Sequence, residues 1–262
     1  MRLIISMVVY KTPTLQLDNV FKMILNGLDG INHEVHIMDN AQDLNLFNWT
    51  QKNQFSYHTL KTNVGFGRGH NEIFRKTYKK DTTYLFLNPD LYMSGDDAKK
   101  ILALFKKHPH IGLISPKLLN PDGSVQLSSR FIPNSLTLIA RFIFKKNFGT
   151  IPIDYYEHNF LAPFISGACI FVRGSLFKAV DGFDPRYFMY MEDLDLCRKI
   201  QLKHYSLLLC VNVSAIHEHA KGSSKDLTLF FHHLISMIRY FNKWGWIIDP
   251  DRRLRNQIFF KS

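Results

Sequence analysis

Residues 188–200 read FMYMEDLDLCRKI, which sets Glu192, Asp193 and Asp195 directly behind the apolar run Phe188-Met189-Tyr190-Met191. A carboxylate taken out of water without a partner costs several kcal/mol or shifts its pKa, so acids against such a surface need a reason. A helix start is one: Leu196 and Ile200 follow one turn apart, and acids in a first turn suit the helix dipole. Two other clusters carry chemical potential. LNPD (87–90) ends an apolar stretch with an amide and a carboxylate two residues apart, an oxygen pair able to hold a hard cation that bridges a diphosphate, or simply a turn. HEH (217–219) puts two histidines on one face of an extended segment, and one imidazole with Asp90 would make a mixed N/O site suited to Mn²⁺ or Mg²⁺.

The elements that must position these residues alternate. LIISMVV (3–9) is a continuous apolar run, the pattern of a strand buried on both faces. Thr12-Pro13 then opens a helix with Thr12 as N-cap, an apolar stripe of Leu17, Val20, Phe21, Ile24 and Leu28, and a glycine stop. A strand at 34–38 ends in Asp39-Asn40. A short strand near 55–60 leads through the loop NVGFGRGHN into a helix over 70–79. TYLFLN (83–88) is the next strand. Ser94-Gly95-Asp96-Asp97 caps a helix carrying Ile101, Leu102 and Phe105, and IGLIS (111–115) follows. This βαβα rhythm predicts an α/β fold with a mainly parallel sheet flanked by helices, whose ligands sit beyond the carboxyl ends of strands. Tyr10-Lys11-Thr12, Asp39-Asn40 and Asn88-Pro89-Asp90 all fall at such ends.

The rhythm changes after residue 116. NPDG (120–123) is a turn, 134–146 a short amphipathic helix, FISGACIFVR (164–173) a strand with small residues in its middle, and YSLLLCV (205–211) another strand. The tail reads as one long helix of mixed faces. The glycine loop at 63–71 has G-x-G-x-G spacing and follows the third strand, which excludes a dinucleotide fingerprint; it is either a plain turn or a loop whose glycines let backbone approach a ligand, with Asn63 and Asn71 locking it.

Composition bounds the function. With 262 residues, 46% hydrophobic and 21% charged, the chain can bury a real core as one large domain or two small ones. Three cysteines without a C-x-x-C pair argue for reduced thiols and a cytosolic setting. The start reads as a first strand and not as a signal peptide, and no 18-residue apolar run spans a membrane. A net charge of +11 suits a polyanionic partner: nucleic acid, an anionic bilayer or a phosphorylated substrate.

Taken in order, Asp39-Asn40, N-x-GFG-x-G-x-N, LNPD, SGACIFVR, GFD-x-x-(Y/F)FMY-x-ED-x-DLC-x-(K/R) and the late H-x-H resemble the family 2 glycosyltransferases of the GT-A fold, and more narrowly the bacterial rhamnosyltransferases of O-antigen and capsule synthesis. The resemblance covers most of residues 3–220. It implies a Rossmann-like nucleotide-sugar half over 1–115, an acceptor and catalytic half over 116–224, and a C-terminal amphipathic helix with a basic tail over 225–262. It implies an inverting transferase with Asp193 as base and Glu192 orienting it or the acceptor, while Asp195 gives a supporting contact. Tyr10, Asp39, Asn40, Asn63, Gly65, Arg68, Asn71, Asn88 and Asp90 fall on the donor side. Asp90 stands where the second acid of a D-x-D motif binds Mn²⁺ or Mg²⁺, with Asn88 in place of the first. His217 matches the later metal ligand; its spacing to Gly222-Ser223 is one residue long, so His219 is the alternative.

The implied donor is dTDP-L-rhamnose, with a UDP-hexose or a galactofuranose donor as alternatives. The implied acceptor is a polyprenyl-diphosphate-linked glycan. A non-catalytic nucleotide-sugar-binding assembly protein would keep the pocket without needing a base. The ordered acids and histidines argue against nucleic acid as the partner. An anionic membrane surface, on the inner face of the cell membrane, is expected to meet Phe230, Phe231, Ile235, Trp244 and Trp246 with Lys243, Arg252 and Arg253.

Overall fold

The computed structural model describes residues 2–144, 149–218 and 227–260. In chain order the elements are β1 (Arg2–Val9), α1 (Thr14–Leu25), β2 (Asn32–Asp39), α2 (Leu44–Lys52), β3 (Ser56–Thr59), α3 (Phe66–Thr77), β4 (Thr82–Leu87), β5 (Leu91–Tyr92), α4 (Gly95–Lys107), β6 (Ile111–Leu119), β7 (Ser129–Arg130), α5 (Ser135–Phe144), β8 (Phe160–Leu161), β9 (Phe164–Ile165), β10 (Cys169–Arg173), α6 (Gly174–Ala179), α7 (Glu192–Leu202), β11 (Ser206–His217), α8 (Leu227–Trp244) and α9 (Pro250–Phe259).

The main sheet runs β3-β2-β1-β4-β10-β6-β11-β5, with β8 on β11. β1, β2, β3 and β4 pair in parallel, as do β6 and β11. β1 shows why the apolar run had no alternation. Ile4 and Val8 enter one core and Leu3, Ile5, Met7 and Val9 the other, so both faces of the strand are covered. Each such side chain, fully buried, contributes about 1.5–3 kcal/mol.

One strand departs from the rhythm in a way that shapes the site. β10 lies between β4 and β6 and runs antiparallel to both. Its first residue, Cys169, is therefore level with Leu87 at the carboxyl end of β4. The stretch expected as one strand over 164–173 is broken at Ser166-Gly167-Ala168, and this break sits at the ligand end of the sheet.

Other boundaries shift for local reasons. Thr14 begins α1, with Pro13 in the cap position and without a side-chain cap, one residue later than the Thr12 expectation. α2 carried no strong apolar stripe and was not anticipated; Asp43 caps it by accepting from the Asn45 amide. α3 starts at Phe66, so Gly67 and Gly69 are helical and not loop residues. They are small because Phe183 and Val8 press on them: a Cβ on either would come within 2.8 Å.

The tail is two helices, divided at Gly245, whose φ of +102° and close approach to the Ile248 carbonyl favour glycine. Arg198 of α7, fully buried, holds the pair together. It makes a bidentate ion pair with Asp249 at 2.6 and 2.8 Å, bonds the Tyr240 hydroxyl at 3.1 Å and stacks on Trp244 at 4.0 Å. These contacts correct the tail expectation. Trp244 and Arg252 face inward, and Lys243 pairs with Asp184 at 2.9 Å and Asp195 at 2.7 Å. Phe230, Phe231, Ile235 and Trp246 are exposed as expected, together with Ile238, Ile247 and Ile248. No described helix is long and apolar enough to cross a membrane.

Candidate active site

Asp193 is the second residue of α7. Its Oδ2 accepts from the Gly167 amide at 3.0 Å and its Oδ1 from the Leu194 amide at 2.8 Å. Gly167 permits the docking, since a Cβ there would touch the Asp193 Cβ at 3.0 Å. The next residue, Ala168, accepts from the Asn88 amide at 2.9 Å. The break before β10 thus brings the ED pair and the LNPD strand end together.

The two members of the pair differ. Burial, reinforced by the Asp193 charge, pushes the Glu192 carboxyl up to about 8. Its Oε2 is buried with no hydrogen-bond partner. Burial also raises Asp193, but the Gly167 and Leu194 amides and the positive charge of Arg130 oppose the rise. Two carboxylates in one dry place do not both ionise readily, so burial holds both carboxyls above their ordinary range, with the amides and Arg130 opposing the rise at Asp193 alone. Asp195 has other work. Its Oδ1 accepts from Trp244 Nε1 at 2.7 Å and meets the Lys243 ammonium. These contacts tie α7 to α8.

The apolar run 188–191 leads into the acids and is held from behind by α8. Phe188 stacks on His232 at 4.3 Å, Tyr190 on His233 at 4.6 Å, and the Met189 carbonyl accepts from Ser236, so α8 backs the run. Tyr190 and Met191 both have positive φ, 69° and 67°, an unfavourable conformation for such side chains immediately before the acids. The Phe188 carbonyl accepts from the Phe66 amide at 3.0 Å. Gly65, at φ +81°, lies so close that a Cβ would fall 2.0 Å from that carbonyl oxygen. Only glycine fits there, and it couples the glycine motif to the acid helix.

On the expected donor side, Asp39 is buried at the end of β2. It accepts from the Ala41 and Asp43 amides at 2.7 and 2.6 Å and from the Tyr57 hydroxyl at 2.9 Å, which with burial pushes that hydroxyl up to about 12. Asn40 donates to the Gly65 carbonyl and accepts from the Val64 amide, and Asn63 caps the Gly65 amide. Tyr10 and Arg68 are exposed at the crevice side of β1 and on α3. Asn71 is a correction: it does not line this loop but clasps the Phe183 backbone in both directions, at 2.7 and 2.9 Å, tying α3 to the turn before the acids.

The third cluster forms where β11 ends beside β5. His217 Nε2 faces Asp90 Oδ1 at 3.4 Å. Gln126 fixes the ring: its amide nitrogen donates to the His217 carbonyl at 2.8 Å, leaving its oxygen for Nδ1 at 3.0 Å. That bond calls for a proton on Nδ1, which leaves the Nε2 lone pair toward the carboxylate. An imidazole lone pair facing a carboxylate oxygen fits a shared Mn²⁺ or Mg²⁺. Among the described residues no group of three His, Cys, Asp or Glu side chains converges. His219 lies outside the described residues. Gln126, ninety-one positions from His217, left no trace in the sequence.

No family model matches the chain. It is 32% identical over 186 residues to the rhamnosyltransferase WbbL of Escherichia coli K12, covering 67% of this chain and 70% of that protein. Over 203 residues it is 27% identical to an N-acetylglucosaminyl-diphospho-decaprenol L-rhamnosyltransferase of Mycobacterium tuberculosis; the match covers 70% of this chain but 65% of the relative's length. Among solved structures, GalNAc-T7 with UDP, GalNAc and Mn²⁺ superposes with a TM-score of 0.65 at 12% identity over 92% of this chain and 48% of that one. Residues 1–349 of Staphylococcus aureus TarS with UDP-GlcNAc give 0.60 at 15% identity over 99% and 72%. At these identities the superpositions speak to the fold.

Proposed function

The chain belongs to the family 2 glycosyltransferases of the GT-A fold, and from that premise we propose that it transfers L-rhamnose from dTDP-L-rhamnose, with inversion, to a hydroxyl of a polyprenyl-diphosphate-linked glycan. The observation that carries this reading is the meeting of three clusters at one end of the sheet: Asp193 on Gly167, Asn88 on Ala168, and Asp90 facing His217. Residues 1–115 supply most of the donor side and 116–224 the acids.

In this reading Asp193 takes the proton from the acceptor hydroxyl as its oxygen bonds to the anomeric carbon. The bond from that carbon to the nucleotide diphosphate breaks on the opposite face, and its electron pair leaves with the diphosphate. The two amides on Asp193 aim its carboxylate, and neutral Glu192 avoids a second charge beside it. The wall at 188–191 keeps water from the donor. Asp90 and His217 would hold the divalent ion, which offsets charge on the departing diphosphate. Asn40, Asn63 and Gly65 shape the nucleotide loop. The exposed stripe Phe230, Phe231, Ile235 and Ile238 would rest on an anionic inner-membrane surface where the lipid-linked acceptor resides.

A thermal-shift panel of dTDP-L-rhamnose and UDP-sugars, with and without Mn²⁺, tests the donor, since a ligand that binds only the folded state raises Tm. A Mn²⁺-dependent rise with dTDP-L-rhamnose and not with UDP-sugars is expected. A rise with a UDP-sugar alone would reassign the donor, and no rise with any of them would defeat the reading.

A further inference from the structure

Among the described residues Arg130 has no carboxylate partner, and it lies beside the base. It lies on β7, which pairs with β9 just ahead of the Ser166-Gly167-Ala168 break, and Gly167 is where Asp193 docks. Its guanidinium and the Asp193 carboxylate feel one another's charge, without an ion pair between them among the described residues. Both Asp193 oxygens are already engaged by backbone amides. Arg130 Nε is buried with no hydrogen-bond partner.

A guanidinium stays charged at any working pH, and a half-buried one without a carboxylate is costly unless a ligand completes it. Arginine's planar fork matches phosphate oxygens. The two groups make unlike demands. Asp193 needs an uncharged hydroxyl within reach, and Arg130 needs an anion nearby. A sugar carrying a phosphate or diphosphate on its anomeric carbon meets both, with the hydroxyl at one edge of the ring and the anion at the other.

We propose that Arg130 is the anion-binding group of the acceptor site, taking the sugar-linked diphosphate of the acceptor while a hydroxyl of that sugar meets Asp193. This rests on the glycosyl-transfer reading above. The donor's diphosphate offers the same chemistry, but in the reading above it is met by the cation that Asp90 and His217 would hold.

The test compares two acceptor probes, an alkyl-diphospho-N-acetylglucosamine and an alkyl N-acetylglucosaminide lacking the diphosphate, on wild type, R130M and R130K. R130M keeps length and packing, whereas R130K keeps charge. R130M is expected to raise KM for the diphospho probe by roughly 10-fold or more, with R130K recovering part of the loss. KM for the neutral probe and Kd for dTDP by calorimetry stay within about twofold. Equal rises in KM on both probes, or a KM kept by Met and lost with Lys, would mean packing and overturn the proposal. A matching loss of dTDP affinity would give Arg130 to the donor and overturn it as well. Where R130M does not fold, R130Q replaces it. Where wild type transfers from no nucleotide sugar, protection from melting by pyrophosphate in EDTA is read instead. Protection lost in the charge-removing variant would keep the anion site while the transfer reading fails, and equal protection in both would remove the anion site.

Discussion

Trp244 Nε1 donates to Asp195 Oδ1 at 2.7 Å, joining α8 to the third acid of the EDLD sequence. The same oxygen meets the Lys243 ammonium at 2.7 Å. Asp195 is thus an anchor between α7 and α8, and α8 in turn backs the wall in front of Asp193.

Asp195→Ala should therefore act on stability. It leaves the Trp244 N–H without its acceptor and takes from Lys243 one of two carboxylates, Asp184 remaining, and loss of hydrogen bonds to a buried charged group costs about 1–3 kcal/mol. Thermal denaturation should show Tm lower by several degrees, while turnover of the folded fraction at low temperature changes little. An unchanged Tm would remove the anchor role.

Asp193→Asn preserves shape and removes most proton affinity. Turnover at saturating substrates should fall by about 10²–10⁴-fold, the scale of a general base, with dTDP affinity by calorimetry unchanged. A loss of donor affinity as large as the loss of rate would mean that Asp193 positions the sugar instead.

Glu192 gives a pH signature. Its carboxyl is raised from an ordinary 4.5 to about 8 by burial. Below about 4.5 both folded and unfolded chains carry the proton, and the group costs nothing. Between there and about 8 the unfolded chain ionises while the folded chain keeps its proton, so stability falls as pH rises. Glu192→Gln cannot ionise. Its Tm advantage over wild type should be small near pH 4.5, widen up to about pH 8 and then level off. Parallel Tm curves across that range would show that Glu192 titrates normally.

Asp90→Ala and His217→Ala should each weaken Mn²⁺-dependent dTDP binding by roughly 1–3 kcal/mol, the scale of a lost charged partner. The double variant should lose less than the sum, because the two share one ion. Full activity in excess EDTA would refute the metal role. If His217→Ala were normal and His219→Ala inactive, the ligand would be His219.

The exposed face of α8 should carry membrane binding. Replacing Phe231, Ile235 and Ile238 with serine should release the protein from anionic vesicles without lowering Tm. Raising salt should weaken what remains, since exposed charges are screened over about 10 Å at 0.1 M. Equal binding to neutral and anionic vesicles would contradict the electrostatic share.

What the sequence determined by itself is local and periodic. β1 and β4 were legible because strands covered on both faces must be apolar throughout, and α4 because Ser94 and its acids cap it. The ED pair, LNPD and His217 were legible as types at strand and helix ends.

Their company was not legible, since it depends on strand direction. β10 runs antiparallel, which turns a small-residue stretch expected as mid-strand into the ledge joining Asp193 to Asn88. Gln126, Arg130 and Trp244 lie far along the chain from the residues they serve, and no period or motif reaches that distance. The inward turn of Trp244 and Lys243 follows from Asp195 and Arg198 in the core. A mixed aromatic and basic tail reads the same whether its cations find buried carboxylates or water, and only packing chose between them.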